Sequence, residues 1–544
     1  MHSRNTHLLT IALLASAAAA QTPMYTVHGP SSQGNFGGAV QSAGDVNADD
    51  LDDLIVGSPA GTGRAMVLNG SNGSTLWTVT GDSIMDRFGT SVSGAGDVDG
   101  DGHDDFIVGA PNVQLFATGP GYARLFSGRT GAELRTFRGT SVGDQFGAAV
   151  AGAGDANDDG YADVIVGGPS LSTATLYSGR DGAVLHTLTS GAFGDLFGAA
   201  VCGAGDVNRD GHDDVAVGAP NAAGGAGSAT VYSGRDGSVI HTLDGQANEQ
   251  LGSALALAGD VNGDGRPDLV VGMPGADEGG LGNGAAAAFS GVNGSLLFRA
   301  SGTGAFDRFG SAVAGAGDIN GDGRSDIVVG APQPAFVLGP TGPGYARAVS
   351  GTGATLFTIT GDGVDDGFGS AVCGAGDVNG DHQLGILVGA PGDDDGLMNS
   401  GMVRLFAGPR VTDPGRFEDY GAGCPGSSGR LPNIGLVGNP RRGLAPRATL
   451  RAAPASQLGI LRFAFGRDNL DLGIIGMPNC TLLTQLFTDL RIATDASGRA
   501  SVAMPIPTQS SLQGLRFNLQ WSILDAAANP LGIVMSDAGE ITIG

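Results

Sequence analysis

The chain contains no lysine: its 28 basic residues are all arginines, and 54 acidic residues outnumber them. The formal net charge is therefore −26. Nucleic acids and anionic membrane surfaces repel a protein of this charge, so the balance argues against both as partners. The excess of carboxylates instead suggests that bound cations neutralise part of the charge.

Aromatic residues are also scarce, at 6% of the 544 residues, and cysteine occurs four times, whereas 99 residues are glycine. Long helical patterns are missing, and this composition is typical of β-structure with many tight turns. After residue 20, no apolar run is long enough to cross a membrane, which takes about 20 residues.

The first twenty residues have the pattern of a secretory signal peptide. A basic start at Arg4 precedes an apolar stretch, Leu8–Ala20, and small residues before Gln21 fit a cleavage site. We therefore predict that residues 1–20 are removed and that the mature protein is secreted, to the extracellular space or the cell surface.

One sequence unit recurs seven times, at intervals of 51 to 59 residues. Each copy has Phe-Gly or Leu-Gly, then an acidic loop, then an apolar run ending in Gly-small-Pro, such as "LIVGSP" and "IVVGAP". Two further runs around a Gly-rich turn, such as "ATVYSGRDGSVIHTLDG", predict a hairpin. Each unit thus holds about four strands, and seven such units predict a seven-bladed β-propeller over residues 24–408.

Closure of the ring is predicted from a missing strand. The seventh unit has its third strand at Met402–Ala407 but no fourth, whereas Met24–Gly29 ("MYTVHG") has the fourth-strand pattern. We predict that these two segments pair antiparallel, because the pairing satisfies an otherwise open sheet edge. An unpaired N-terminal stub is the alternative.

Phe-Gly, the acidic loop and Gly-Ala-Pro in this order resemble FG-GAP repeats, which build the β-propeller of integrin α subunits and of many secreted bacterial proteins. Seven copies in phase make the resemblance specific. It implies an all-β propeller and favours a role in adhesion. The chain has no Arg-Gly-Asp sequence and no inserted metal-dependent adhesion domain.

Each acidic loop places oxygen-bearing side chains at positions 1, 3, 5 and 9, usually with a glycine at position 6 and a carbonyl ligand at position 7. Hard oxygen donors in this number suit Ca²⁺. The predicted ligands are Asp45, Asn47, Asp49 and Asp53; Asp97, Asp99, Asp101 and Asp105; Asp155, Asn157, Asp159 and Asp163; Asp206, Asn208, Asp210 and Asp214; Asp260, Asn262, Asp264 and Asp268; Asp318, Asn320, Asp322 and Asp326; and Asp377, Asn379 and Asp381. An EF-hand would need Glu at position 12, which here falls in a strand run, for example at Val271. A metal-free turn rich in Asp and Asn is the remaining alternative.

The seven loops are not equivalent. Loops two to six keep every ligand and the glycine, whereas the first has Asp50 at position 6. The seventh has His382 at position 6 and Gly385 in place of the last carboxylate, so we expect about six calcium sites and leave the seventh open. His103 and His212 stand at position 7, and their imidazoles are expected to be incidental.

The last part of the chain departs from the repeat. Residues 409–422 have the composition of a linker, and residues 423–544 contain alternating apolar runs, such as "LRFNLQWSIL", that predict a small β-sandwich. "CPG" and "DASGRASVAMPIP" are similar to C-terminal domains that follow repeats in some secreted bacterial proteins. After export, Cys424 and Cys480 could form a disulfide, with two unpaired thiols as the alternative. Cys202 and Cys373 share one small-residue position of the repeat, which favours packing over catalysis.

The sequence favours a binding protein over an enzyme. It contains neither a His-Glu-x-x-His motif nor a Gly-rich phosphate loop. The leading prediction is a secreted calcium-binding propeller that acts as an adhesion module for an extracellular protein or glycan. A structural component of the cell envelope or matrix without a discrete ligand is the alternative, and a polysaccharide-acting enzyme is less favoured.

The predicted ligand surface lies opposite the acidic loops. It comprises the long connections after Gly-Ala-Pro, such as Val113–Gly121, Asn221–Gly227 and Gln333–Gly344. Because these segments are rich in glycine, plain flexible connections are the alternative.

Overall fold

A computed structural model describes residues 22–408, except 85, 114–118, 279, 335–341 and 382, and beyond them the strands named below and Thr494. The predicted signal peptide, His382, Cys424 and Cys480 lie outside the described residues.

The repeat region forms seven four-stranded antiparallel sheets, and six of these use consecutive strands. The first described strand is β1 (Pro23–His28). The six sheets are β2 (Ala39–Gly44), β3 (Asp53–Ser58), β4 (Arg64–Leu68) and β5 (Thr75–Thr80); β6 (Ser91–Gly96), β7 (Asp105–Ala110), β8 (Tyr122–Phe126) and β9 (Glu133–Arg138); β10 (Ala149–Gly154), β11 (Asp163–Gly168), β12 (Thr173–Tyr177) and β13 (Val184–Thr189); β14 (Ala200–Gly205), β15 (Asp214–Ala219), β16 (Ser228–Tyr232) and β17 (Val239–Asp244); β18 (Ala254–Gly259), β19 (Asp268–Met273), β20 (Ala285–Phe289) and β21 (Leu296–Ser301); and β22 (Ala312–Gly317), β23 (Asp326–Ala331), β24 (Tyr345–Val349) and β25 (Thr355–Thr360). Short helical turns at Pro169–Leu171 and Ala222–Gly225 interrupt two connections.

The seventh sheet joins the two ends of the repeat region. It contains β26 (Ala371–Gly376), β27 (Gly385–Ala390), β28 (Met402–Ala407) and, as its outer strand, β1. The first strand of each sheet lies next to the first strand of the following sheet, and β26 lies next to β2. The repeat region is therefore a closed seven-bladed β-propeller.

The pairing of β1 with β28 is the one that the sequence pattern predicts. The strands are antiparallel, with Tyr25 opposite Leu405 and His28 opposite Met402. The Tyr25 hydroxyl also donates to the Gly70 carbonyl of the first blade at 2.9 Å. The N-terminal strand thus completes the seventh blade and contacts the first.

The second strand of each blade is apolar on both sides because neighbouring blades pack on it. All six residues of β3 are buried, as are those of the corresponding strands through β27. Its glycine touches the Phe-Gly segment of the next blade: a Cβ on Gly57 would lie 2.1 Å from the Gly89 carbonyl oxygen. The same contact closes the ring, since a Cβ on Gly389 would lie 2.0 Å from the Gly37 oxygen.

The alternation of strand direction divides the propeller into two faces. The acidic loops follow the first strand and the hairpin turns follow the third, so both lie at one end of every blade, here called the acidic-loop face. The segments after Gly-small-Pro and the Phe-Gly segments lie at the other end, here called the connection face. Each face therefore carries its own kinds of segment, which recur from blade to blade.

The C-terminal residues are also all β in their described part. Their strands are β29 (Arg416–Tyr420), β30 (Asn433–Val437), β31 (Arg447–Arg451), β32 (Leu458–Ala464), β33 (Arg467–Asp471), β34 (Thr481–Thr484), β35 (Thr488–Ala493), β36 (Ala500–Ala503), β37 (Arg516–Leu524) and β38 (Ile533–Thr542). They form antiparallel sheets of five, three and two strands, and β30 contacts β38 across two of them. Because β29 pairs with β38, this unit takes in part of the segment predicted as a linker.

Ring closure can be tested by removing and restoring β1. Deletion of Pro23–Gly29 should lower the melting temperature of the propeller by at least about 5 °C, because β28 becomes an open edge and Tyr25 is lost. A synthetic peptide of residues 22–30, added in excess, should restore most of the loss by binding only the folded ring. Melting curves that coincide with and without the strand would contradict closure.

Candidate metal-binding loops

The first aspartate of each intact loop organises the loop backbone. In the fifth loop, Asp260 accepts the N–H of Asp264 at 3.0 Å on Oδ1 and that of Gly265 at 2.8 Å on Oδ2. Gly265 has φ +80°, which suits glycine. In the first loop Asp50 takes the same left-handed conformation, with φ +64°, and its N–H also reaches Asp45. The first loop therefore keeps its shape without the glycine.

The aspartate at position 9 ties the acidic loop to the hairpin turn of the same blade. Asp105 is fully buried and accepts the N–H of Val98 at 2.9 Å and that of Gly128 at 2.8 Å. The pKa of Asp105 is raised to about 7, mainly by burial and in part by the neighbouring Asp99 and Asp97, against the lowering effect of these two hydrogen bonds. The same two links recur in loops one to six. Sequence reasoning assigned this residue only to metal and missed its structural role.

Three of the four predicted ligand side chains come together in the second loop. One carboxylate oxygen from each of Asp97, Asp99 and Asp105 lies within 4.8 Å of the other two. Asp101, at position 5, is not part of this group, and its Oδ1 accepts the N–H of His103 at 3.1 Å. In the third loop, Asn157 Oδ1 is buried and has no hydrogen-bond donor among the described residues. A buried oxygen without a donor is costly unless a further group satisfies it.

The seventh loop is built differently. Gly385 occupies position 9, so the side-chain link is replaced by a backbone hydrogen bond from the N–H of Gly408, just after β28, to the Leu384 carbonyl at 3.0 Å. Asp377 accepts the N–H of Gly380 at 2.8 Å. The seventh loop thus keeps a tied-down backbone but has no buried carboxylate.

Positions 7 and 8 join neighbouring blades, which the sequence interpretation overlooked. His103 Nδ1 lies 2.8 Å from the Val46 carbonyl of the preceding blade, and His212 Nδ1 lies 3.0 Å from that of Ala156. The expectation that these imidazoles are incidental is therefore wrong. Arg266, at the same position of the fifth loop, donates to the Val207 carbonyl at 2.7 Å.

At position 8, a carboxylate reaches back to the preceding loop. Asp104 Oδ2 accepts the N–H of Asp45 at 2.9 Å, and Asp213 Oδ2 accepts that of Asp155 at 2.9 Å. The sequence signal for these contacts is the glycine before each loop: a Cβ on Gly44 would lie 2.1 Å from Asp104 Oδ2.

The described cysteines are structural. Cys202 and Cys373 are unbonded and buried, and burial raises the pKa of each thiol to about 12. A thiol with such a pKa stays protonated at neutral pH and is a poor nucleophile.

The fold and loops define a seven-bladed β-propeller of FG-GAP repeats. The family model described as "FG-GAP repeat" matches residues 88–126, 197–232, 251–289 and 309–349.

Integrin α subunits are among the similar proteins. The chain is 29% identical to integrin alpha-8 of Gallus gallus over 238 residues, covering 39% of this chain and 22% of that protein. It is 31% identical to integrin alpha-PS5 of Drosophila melanogaster over 196 residues, covering 32% and 19%, and 31% identical to integrin alpha-V of Gallus gallus over 215 residues, covering 35% and 20%. The matched part thus spans about a fifth of the length of these relatives.

Two arginines at position 7 provide a matched test of the contact between blades. Arg266→Ala should destabilise the propeller by about 0.5–1.5 kcal/mol, the usual net worth of one hydrogen bond. Arg324→Ala is the control, because among the described residues the Arg324 guanidinium makes no hydrogen bond. Urea unfolding of both variants measures the difference, and equal losses would show that the Arg266 contact contributes nothing.

Proposed function

We propose that the chain is a secreted, calcium-binding β-propeller that binds an extracellular protein or glycan through its connection face. The acidic loops supply the metal sites that stabilise the ring, and the opposite face supplies the recognition surface. Residues 1–20 act as the signal peptide that exports it. Among the described residues, no helix has the length and hydrophobicity to span a bilayer.

Calcium is supported by the donor set and by its electrostatics. Loops one to six offer carboxylate and amide oxygens from positions 1, 3, 5 and 9, which suit a hard cation. The pKa of Asp163 and of Asp326 is raised to about 7, mainly by burial and in part by nearby carboxylates. A bound cation supplies the positive charge that lets these carboxylates stay ionised. The orphaned Asn157 oxygen is satisfied in the same way.

Calcium binding predicts a stoichiometry and a stability change. Chelation should lower the melting temperature, since each site held at one hundred times its Kd contributes about 2.7 kcal/mol. Asp264→Ala should remove one of about six sites counted by isothermal titration calorimetry. Asp381→Ala, the same change in the loop without the ninth-position carboxylate, is the control and should leave the count unchanged. Absence of bound metal by elemental analysis, with an unchanged melting curve in chelator, would refute the proposal.

The observation that carries the binding role is a set of exposed apolar side chains on the connection face, in four of the seven blades. Ile84, Val142, Phe193 and Val364 each stand two residues before the acid that precedes Phe-Gly, and they are 63%, 63%, 96% and 58% exposed. Because they share one repeat position, they are placed around the propeller axis. Leu281, Leu397 and Met398 are also exposed on connections of this face. Apolar groups gathered on one face mark interaction surfaces.

A binding role is preferred to catalysis. The resemblance to integrin α subunits favours adhesion, and both described thiols are buried and protonated. The spacing Gly-x-Ser-x-Gly occurs once, at Gly139–Gly143, but it lies in a connection between two strands. A nucleophile elbow instead requires a strand-to-helix turn. The backbone N–H of Ser141 donates to Asp144 at 3.0 Å, so this turn has a structural explanation.

The recognition surface can be tested with two matched variants. Replacing Ile84, Val142, Phe193 and Val364 by serine should abolish binding to the ligand found on a glycan or extracellular-protein array, with little change in melting temperature. The control replaces Val184, Val239 and Leu296, which are also exposed but begin outer strands near the acidic-loop face. Equal losses in the two variants would contradict a connection-face site. Wild-type protein that binds nothing on either array would favour a structural matrix component.

A further inference from the structure

A second group of carboxylates lies at the seam of the ring, away from the seven acidic loops. Asp362, Asp366 and Asp393 each place one carboxylate oxygen within 4.8 Å of the other two. Asp362 and Asp366 lie between β25 and β26, and Asp393 lies between β27 and β28. All three are therefore on the connection face.

Asp366 differs from its counterparts in the other blades. The acid two residues before Phe-Gly or Leu-Gly recurs in blades two to six, where each copy has donors of its own. These include the Tyr122 hydroxyl to Asp86 at 2.6 Å, Gly121 N–H to Asp144 at 3.0 Å, the Ser172 hydroxyl to Asp195 at 2.8 Å, Arg299 to Glu249 at 2.8 Å and the Tyr345 hydroxyl to Asp307 at 2.8 Å. Asp366 is only 8% exposed, and no described residue donates a hydrogen bond to its carboxylate.

The register explains the missing donor. Tyr122 pairs with the alanine of Gly-Ala-Pro in blade two, at Ala110. In blade seven the residue opposite the equivalent Ala390 is Met402, which has no hydroxyl. The neighbour of Asp366 is instead another carboxylate, that of Asp393.

The charges around this group do not balance. Arg404 Nη2 lies 2.6 Å from Asp362 Oδ2, and His28 Nδ1 lies 3.3 Å from Asp393 Oδ1. Burial raises the pKa of Asp366, and Asp393, Asp362, Asp394 and Asp395 raise it further. A proton joins only two oxygens, whereas one Ca²⁺ ion binds several oxygens at once, each about 2.3–2.6 Å away.

We propose that Asp362, Asp366 and Asp393 form a divalent-cation site of the Ca²⁺ class that fastens the ring seam. The site joins the two ends of the repeat region, because Asp393 contacts His28 of β1 and its carbonyl accepts the N–H of Gly401 at 3.0 Å. Gly401 in turn accepts the N–H of Gly29 at 2.8 Å. The site does not depend on metal binding by the acidic loops.

Hydrogen exchange of the full chain, with Ca²⁺ alone as the probe, tests the site. At Ca²⁺ about ten times the Kd of the site, exchange of the Val27, His28 and Gly29 amides should slow about tenfold. Asp366→Asn should abolish this response. Asp307→Asn, the same change in blade six, and Asp264→Asn, in an acidic loop, should both retain it.

Met402→Tyr is a second variant, which gives blade seven the tyrosine that blades two and six have at this position. Its hydroxyl should donate to Asp366, protect the seam amides without metal and remove the response to Ca²⁺. Seam amides that ignore Ca²⁺ in the wild type, or a response that survives both Asp366→Asn and Met402→Tyr, would overturn the proposal. A seam response in protein whose acidic loops bind no calcium would support it while refuting the loop sites.

Discussion

Backbone contact between two glycines of adjacent blades is the constraint on which the propeller depends. The glycine of Gly-small-Pro in one blade meets the glycine of Phe-Gly in the next, at about van der Waals distance, in all seven interfaces. At Gly330, for example, a Cβ would lie 2.0 Å from the Gly369 oxygen. A side chain introduced at such a glycine would overpack the contact and force backbone shifts, which typically cost about 1–3 kcal/mol. The motif that marks the repeat in sequence is therefore the place where blades touch.

This contact sets the blades close together, and the short distance between blades determines which residue types suit the other positions of the repeat. The second strand is enclosed and must be apolar, and the buried phenylalanine, as at Phe88, fills the space between blades. Polar groups are driven to the two ends of the blade. On the acidic-loop face, buried Asp105 and its counterparts connect loop to hairpin, and positions 7 and 8 connect loop to loop. The charged side chains of the repeat therefore lie mainly in the loops at the ends of the blades.

Much of this architecture could be predicted from sequence because the repeat supplies seven independent readings of one pattern. The blade count, the enclosed second strand and the pairing of β1 with β28 all follow from matching periodic positions. Contacts between side chains of different blades could not be predicted in that way. Within a single repeat, His103 and Asp104 have no visible structural role, because only the closed ring places them next to Val46 and Asp45.

The same limit applies to the candidate sites. The loop ligands share one short segment, so spacing alone brings Asp97, Asp99 and Asp105 together. The seam group draws on segments before β26 and after β27, with His28 from the far end of the chain. The sequence feature that indicates this group is Met402, which stands where two other blades have tyrosine. That correspondence can be recognised only once the strand register is known.

The position of β1 also sets an order of assembly. The strand is the first part of the propeller to be synthesised and the last to find its partner, because β28 lies near the other end of the repeat region. Closing a loop of this length costs about 2–3 kcal/mol more entropy than closing a hairpin of about 20 residues. Six blades can form from neighbouring strands as they emerge, and their stacking brings the ends together. A chain interrupted before β28 therefore keeps an unpaired first strand, whose open edge is available for pairing with another chain.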